Sequence, residues 1–191
     1  MLLHRTPQHN EEGGHMADPV NTALLLLRVV LGAVFLAHGV KHALGREKTT
    51  KWFASLGFVA PGMQWLMMTV FEIAAGVMAL AGLLTGFAAM AMVSMMVVAY
   101  WVNHREAGFW ITAFMKDDVE VEGYEYVLTL AVASAALAVT GAGEFSLDWA
   151  IKLDGVPLAS LLDGWWGAVL AVGGVMAAGG QIAMFWRPNP T

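Results

Sequence analysis

The chain has 191 residues, 58% of them hydrophobic and 13% charged, with a net charge of -5 and a mean hydropathy of +0.62. A water-soluble domain carries about 45–50% apolar and about 25% charged residues, so a disordered chain and an ordinary cytosolic enzyme are both excluded. A pI near 5.6 leaves no basic footprint for nucleic acid, and the absence of cysteine excludes disulfides, iron–sulfur clusters, thiolate zinc sites and a cysteine nucleophile. The composition is that of an integral membrane protein of one compact domain, and its long apolar runs make an all-α helical bundle the expected fold.

A spanning helix needs about 20 largely apolar residues, and five stretches qualify. Residues 1–21 form a polar tail expected to be disordered, with Met16 as an alternative start. The first span, 22–43, carries Arg28, His38, Lys41 and His42 inside or at the end of its apolar run; it is too long for a cleavable signal and lacks a small-residue cleavage site. The second, 64–84, holds a single charge, Glu72, and a turn at about Thr85-Gly86 leads into the third, 86–103, which holds none. The fourth, 124–141, opens on Glu125, and the fifth, 164–186, has Gln181 as its strongly polar residue. Trp65, Tyr100, Trp101, Tyr124, Tyr126, Trp165, Trp166 and Trp186 fall at span ends, where an interfacial aromatic belt belongs.

Lys41, Arg46, Lys48, Lys51, Arg105, Lys116 and Arg187 fall on one side of the alternating spans, against Arg5 and Lys152 on the other. The positive-inside rule then places the N-terminus outside and the C-terminus inside a bacterial cytoplasmic membrane.

Charges inside a span are costly and face a bundle interior or a cavity. Arg28, Gly32, Phe35, Gly39 and His42 recur at helical spacing and form one stripe, with the two glycines open to a neighbouring helix or a flat ligand. At 1.5 Å per residue His38 lies about 8 Å from its end of the span and Glu72 about 12 Å, which places the two at comparable depth. With alternating spans, His38, Lys41, His42, Glu72, His104 and Glu125 converge at one membrane face. Glu72 is expected to exchange protons and His38 to hydrogen-bond a ligand. Arg28, Gly32, Gly39, Lys41, His42, His104 and Glu125 are the candidate binding residues. Each also has a structural reading: Lys41 and His42 can snorkel, Arg28 can anchor its helix, and Glu125 can cap a helix N-terminus. The methionines lack a spacing shared with histidine and read as packing. Haem through His38 or His42 with His104 is a weak alternative, and no metal site is expected.

The segments RVVLGAVFLAHGVKHALG (28–45), FEIAAGVMALAGLLT (71–85), NHREAGFW (103–110), EGYEYVLTL (122–130) and GAGEFSLDWAI (141–151) together resemble the DoxX family of small bacterial membrane proteins. Within the first, Arg28, Gly32, Phe35, His38, Gly39 and Lys41 match the family's first-helix pattern. The resemblance covers about 28–151. It implies a four-helix membrane domain over 22–151, with 152–191 adding a loop, a fifth span and a short tail. It also implies an association with redox or sulfur metabolism, relatives including a subunit of thiosulfate:quinone oxidoreductase and a membrane component of oxidative-stress defence.

Three functions follow as expectations. The first is an accessory subunit that binds a quinone at the Glu/His cluster and takes electrons from a protein partner, since the chain holds no flavin or iron–sulfur motif. The second is a scaffold that docks soluble antioxidant enzymes on the loop HREAGFWITAFMKDDVEVEG. The third is a proton-coupled transporter, which the lack of an inverted repeat disfavours. The bilayer itself, protein partners in a redox complex and a second copy of the chain are the expected contacts.

Overall fold

The computed structural model describes residues 18–112 and 121–188. The expected tail over 1–17 and the centre of the third loop, including Lys116, lie outside these residues. Among the described residues eight α-helices follow in order: α1 (Pro19–Leu44), α2 (Arg46–Ser55), α3 (Pro61–Ala81), α4 (Thr85–Ala99), α5 (Glu125–Thr140), α6 (Leu147–Ala150), α7 (Ala159–Leu162) and α8 (Gly164–Phe185). A π-helical turn, Tyr100–His104, and a 3-10 turn, Arg105–Ala107, extend α4. A two-stranded hairpin, β1 (Lys152–Leu153) and β2 (Val156–Pro157), sits between α6 and α7.

Among the described residues, four helical stretches are long and apolar enough to cross a bilayer: α1, α3, α4 with its two extensions, and α8. The fourth expected span, α5, is a shorter apolar helix of 16 residues. At 1.5 Å per residue it reaches about 24 Å, against a hydrocarbon core of about 30 Å. The chain is thus an all-α, multi-pass membrane bundle.

Local chemistry sets the helix ends. Asp18 accepts from the Val20 N–H at 3.0 Å, and Pro19 occupies the first turn of α1, where no donor is lost. Helix α1 therefore starts at Pro19, so the expected tail stops short of residue 21. The α3–α4 connection is 82–84, with Thr85 and Gly86 inside α4 rather than forming the turn. Gly82 (φ +63°) supplies the left-handed conformation that ends α3. Helix α2 follows α1 directly; its Thr49 and Phe53 are buried, whereas Lys48 and Lys51 are exposed.

The core lies between α1, α3, α4 and α5 and includes Leu31, Phe35, Ala75, Ala79, Met92 and Leu137. Small residues bring the backbones close. A Cβ added at Gly76 would lie 2.6 Å from the Leu36 nitrogen, and one at Gly32 would lie 2.9 Å from the Gly76 oxygen. The stripe expected on α1 is thus the face it turns to α3, and Arg28, Gly32, Phe35 and Gly39 are all buried on it.

Helix α8 packs on α4 and α5 by the same device. A Cβ at Gly167 would lie 1.8 Å from the Ala138 carbonyl oxygen, and one at Gly174 would lie 2.5 Å from that of Met90. Past α8 the chain bridges the α2–α3 linker: the Arg187 N–H donates to the Gly57 carbonyl at 2.8 Å, and the Trp186 indole N–H to that of Leu56 at 2.8 Å. Trp186 and Trp65 therefore turn inward, whereas Trp165 and Trp166 at the start of α8 are exposed as a belt requires.

Gly167→Ala should lower the melting temperature of the purified protein in detergent, because only backbone movement relieves its contact. Gly180→Ala, with nothing near its added Cβ, should be neutral or should stabilise by up to about 1 kcal/mol through helix propensity. Equal melting temperatures for the two would refute the close α5–α8 approach.

Candidate functional site

A cavity of about 910 Å³ opens at the end of the bundle that carries the C-terminus of α1 and the N-terminus of α3. Ligand sites occupy roughly 300–1,000 Å³. The inner wall is apolar: Val34 and Phe35 from α1, Met68 from α3, Met96 and Ala99 from α4, Val127 and Leu130 from α5. Around it stand His38, Lys41 and His42 from α1, Lys48 from α2, Glu72 from α3, His104 from the π-turn, and Glu122 and Tyr126 at the start of α5.

Glu72 is 2% exposed, a depth at which a carboxylate needs a partner. His42 supplies it, its Nδ1–H donating to Oε2 at 2.7 Å. His38, at comparable depth, does not pair with Glu72; its ring lies edge-on to that of His42 at 6.2 Å between centroids. The reason is angular. Gly39 lies against Ile73 and Glu72, and a residue three further on stays on that face, whereas the residue before it is turned about 100° away. His42 is itself held, since its carbonyl accepts the Trp65 indole N–H at 2.8 Å and the Arg46 guanidinium covers Trp65 at 4.8 Å.

His104 reaches the cavity through the π-turn, a distortion frequent at functional sites. Its Nδ1–H donates to the Glu122 carbonyl at 2.7 Å, which ties the end of α4 to the start of α5.

Four candidates lie elsewhere. Glu125 faces the 108–112 segment, where its Oε2 accepts from the Ile111 N–H at 3.2 Å, and Glu122 takes its place at the cavity. Gly32 and Gly39 are filled by α3 and leave no room for a flat ligand. Arg28 lies toward the far end, buried, donating to the Phe145 carbonyl. Its Nη1 fills the space beside Gly82.

The structure adds Lys48, Trp52 and Tyr126 to the wall and Trp65 behind it. For Lys48 and Trp52 the available signal was Gly45 followed by ten residues with apolar and basic positions on different faces. For Trp65 it was a tryptophan in the first turn of a helix that starts on proline. Among the described residues, no three His, Asp or Glu side chains are grouped to hold a metal ion.

Comparison with known proteins places this bundle. The family model DoxX matches residues 23–105. That segment resembles a DoxX domain. It comprises nearly all of α1, then α2, α3, α4 and the π-turn, and so supplies His38, Lys41, His42, Glu72 and His104; α5 and α8 lie beyond the matched DoxX segment. Over 124 residues the chain is 29% identical to the "Putative oxidoreductase CatD" of Bacillus subtilis (strain 168), an alignment covering 65% of this chain and 83% of the relative. No solved structure matches the chain.

Proposed function

We propose that this protein is the membrane-embedded, quinone-binding accessory subunit of a redox complex in a bacterial cytoplasmic membrane. One observation carries the reading: a buried carboxylate–imidazole pair, Glu72–His42, in the wall of a large, mostly apolar cavity. A quinone ring suits apolar walls, and its oxygens suit a donor and a proton carrier beside them. His42, His38 or Lys41 would hold the oxygens. Quinone reduction consumes two electrons and two protons, chemistry the bound group would supply. The chain's residues hold and pass the protons: Glu72 carries one at depth, His42 relays it, and His104 and Glu122 continue toward the surface. The electrons would come from a protein partner, a reading that agrees with the oxidoreductase name of the relative.

The basic end, where Lys41, Arg46, Lys48 and Lys51 gather near Arg105 and Arg187, is the cytoplasmic one by the positive-inside rule. The transporter reading finds less support, because Leu31, Ala75 and Ala79 beyond the cavity belong to a tightly buried apolar cluster. The scaffold reading rests on the third loop, where Phe109, Trp110 and Ile111 are exposed; residues 113–120 of that loop lie outside the described structure.

Gentle purification followed by native mass spectrometry should show a co-purifying quinone. Its absence, together with no quenching of tryptophan fluorescence by added quinone, would overturn the proposal, since Trp52 lies in the cavity wall.

A further inference from the structure

We infer that the cavity opens sideways into the bilayer, through a slot between α1 and α5, and takes a ligand whose apolar tail lies in that slot. The identity of the head group rests on the quinone reading; the route rests on the walls alone.

The aqueous end of the cavity is roofed. Helix α2 crosses it, with Thr49 and Trp52 in the cavity wall, and Phe53 fixes the helix in a cluster with Phe58, Val98 and Ala178. The side is open. On α1, Ala37, Val40 and Leu44 line the cavity and are also exposed, which places them at its mouth. They recur at spacings of three and four and so form one edge. On α5 the exposed Tyr126 lines the cavity too and forms the facing edge. Ala37 lies seven residues before the end of α1, hence about 10 Å down the helix. A mouth that begins there meets acyl chains before it meets water. Behind it the floor is Val127 and Leu130, while Glu72 stands on α3, away from the mouth. Edges on which apolar Ala37, Val40 and Leu44 stand beside the likewise exposed His38 and Lys41, an apolar floor and Glu72 at the back suit an amphiphile whose head group passes the polar side chains while its tail stays on the apolar ones. They do not suit a small anion arriving from water.

The test uses the full chain in lipid nanodiscs, with menaquinone-4 as probe and intrinsic tryptophan fluorescence as readout. Ala37→Phe and Val40→Phe narrow the mouth without touching Glu72 or His42. Each should weaken binding by about tenfold or more, while Val172→Phe, on the exposed face of α8, should bind as the unaltered chain does. A second measurement needs no quinone. A phospholipid carrying a photoreactive acyl chain should leave adducts at Val127 or Leu130, and Ala37→Phe should abolish them while adducts on the exposed face of α8 persist. Using two narrowing variants guards against one failing to fold, which gel filtration and the melting temperature report.

Wild-type affinity in both folded variants, or adducts confined to exposed faces with none at Val127 and Leu130, would overturn the slot. If menaquinone-4 does not bind the unaltered chain but the adducts form and vanish as described, the slot stands and the quinone reading falls.

Discussion

Glu72→Gln should lower quinone-dependent turnover of the complex by about a hundredfold, the contribution of one positioned proton carrier. The substitution is nearly isosteric. A glutamine oxygen still accepts from the His42 Nδ1–H, so the contact that joins α1 to α3 at this level survives. Only the exchangeable proton is lost. Glu72→Leu, in contrast, leaves the His42 donor unpaired in a wall that is mostly apolar and should also destabilise the fold, by about 1–3 kcal/mol. His42→Gln should lower turnover less than Glu72→Gln, because it removes the relay but leaves the deep carboxyl group. His38→Ala should cost still less, since the hydrogen bond to Glu72 comes from His42. The measurement is quinone reduction by membranes of a deletion strain carrying each variant, with protein level checked by immunoblot. Undiminished turnover in Glu72→Gln would remove the carboxylate from the chemistry, whatever the cavity binds.

The order of effects in that series also shows what could be read from the residues alone. The stripe from Arg28 to His42 was legible because helical periodicity acts over a whole span, and every turn repeats the same information. The convergence of His38, Lys41, His42, Glu72 and His104 was legible because alternating spans must return each loop to the same side. The pairing itself was not. Depth along the helix favoured His38, but contact is decided by rotation, and a close glycine contact such as Gly39 against Glu72 fixes rotation more tightly than depth does. Helix α2 stayed hidden because its ten residues are mostly polar; its helical state depends on burying Thr49 and Phe53 against partners distant in sequence. The π-turn stayed hidden for a related reason. It follows from where α5 and the 108–112 segment hold the end of α4, by the His104–Glu122 contact among others.

At the opposite end of the bundle, Asp148→Ala should destabilise the protein by about 2–5 kcal/mol, the cost of leaving two backbone donors unpaired. Asp148 is 1% exposed and joins three elements. Its Oδ1 accepts from the Leu84 N–H at 2.7 Å and its Oδ2 from the Thr85 N–H at 2.9 Å, while its own N–H donates to the Gly82 carbonyl at 2.8 Å. The first two bonds satisfy orphan donors at the start of α4, where the helix dipole adds to the attraction. They also hold Leu84 in a left-handed conformation (φ +48°) that costs a side-chain-bearing residue about 1–2 kcal/mol. In addition, Arg28 lies beside Gly82, whose carbonyl accepts from the Asp148 N–H, so the Asp148 carboxylate is a candidate countercharge for the guanidinium, whose Nε and Nη1 lack hydrogen-bond partners. Alanine removes the cap and the countercharge together. An asparagine side chain in the same place would accept one of the two bonds and present an N–H to the other donor, so Asp148→Asn should fall between wild type and Asp148→Ala. Leu84→Gly should recover about 1 kcal/mol in the wild-type background by relieving the strain. A double-mutant cycle separates the two roles of the carboxylate. If the countercharge matters, Arg28→Met should destabilise the Asp148→Ala background less than the wild type, or even stabilise it, because an uncompensated buried charge is then removed. Reversible denaturation in mixed detergent gives each free energy. Strict additivity of Arg28→Met and Asp148→Ala would show that Asp148 serves α4 alone and that Arg28 is held by the Phe145 carbonyl without it.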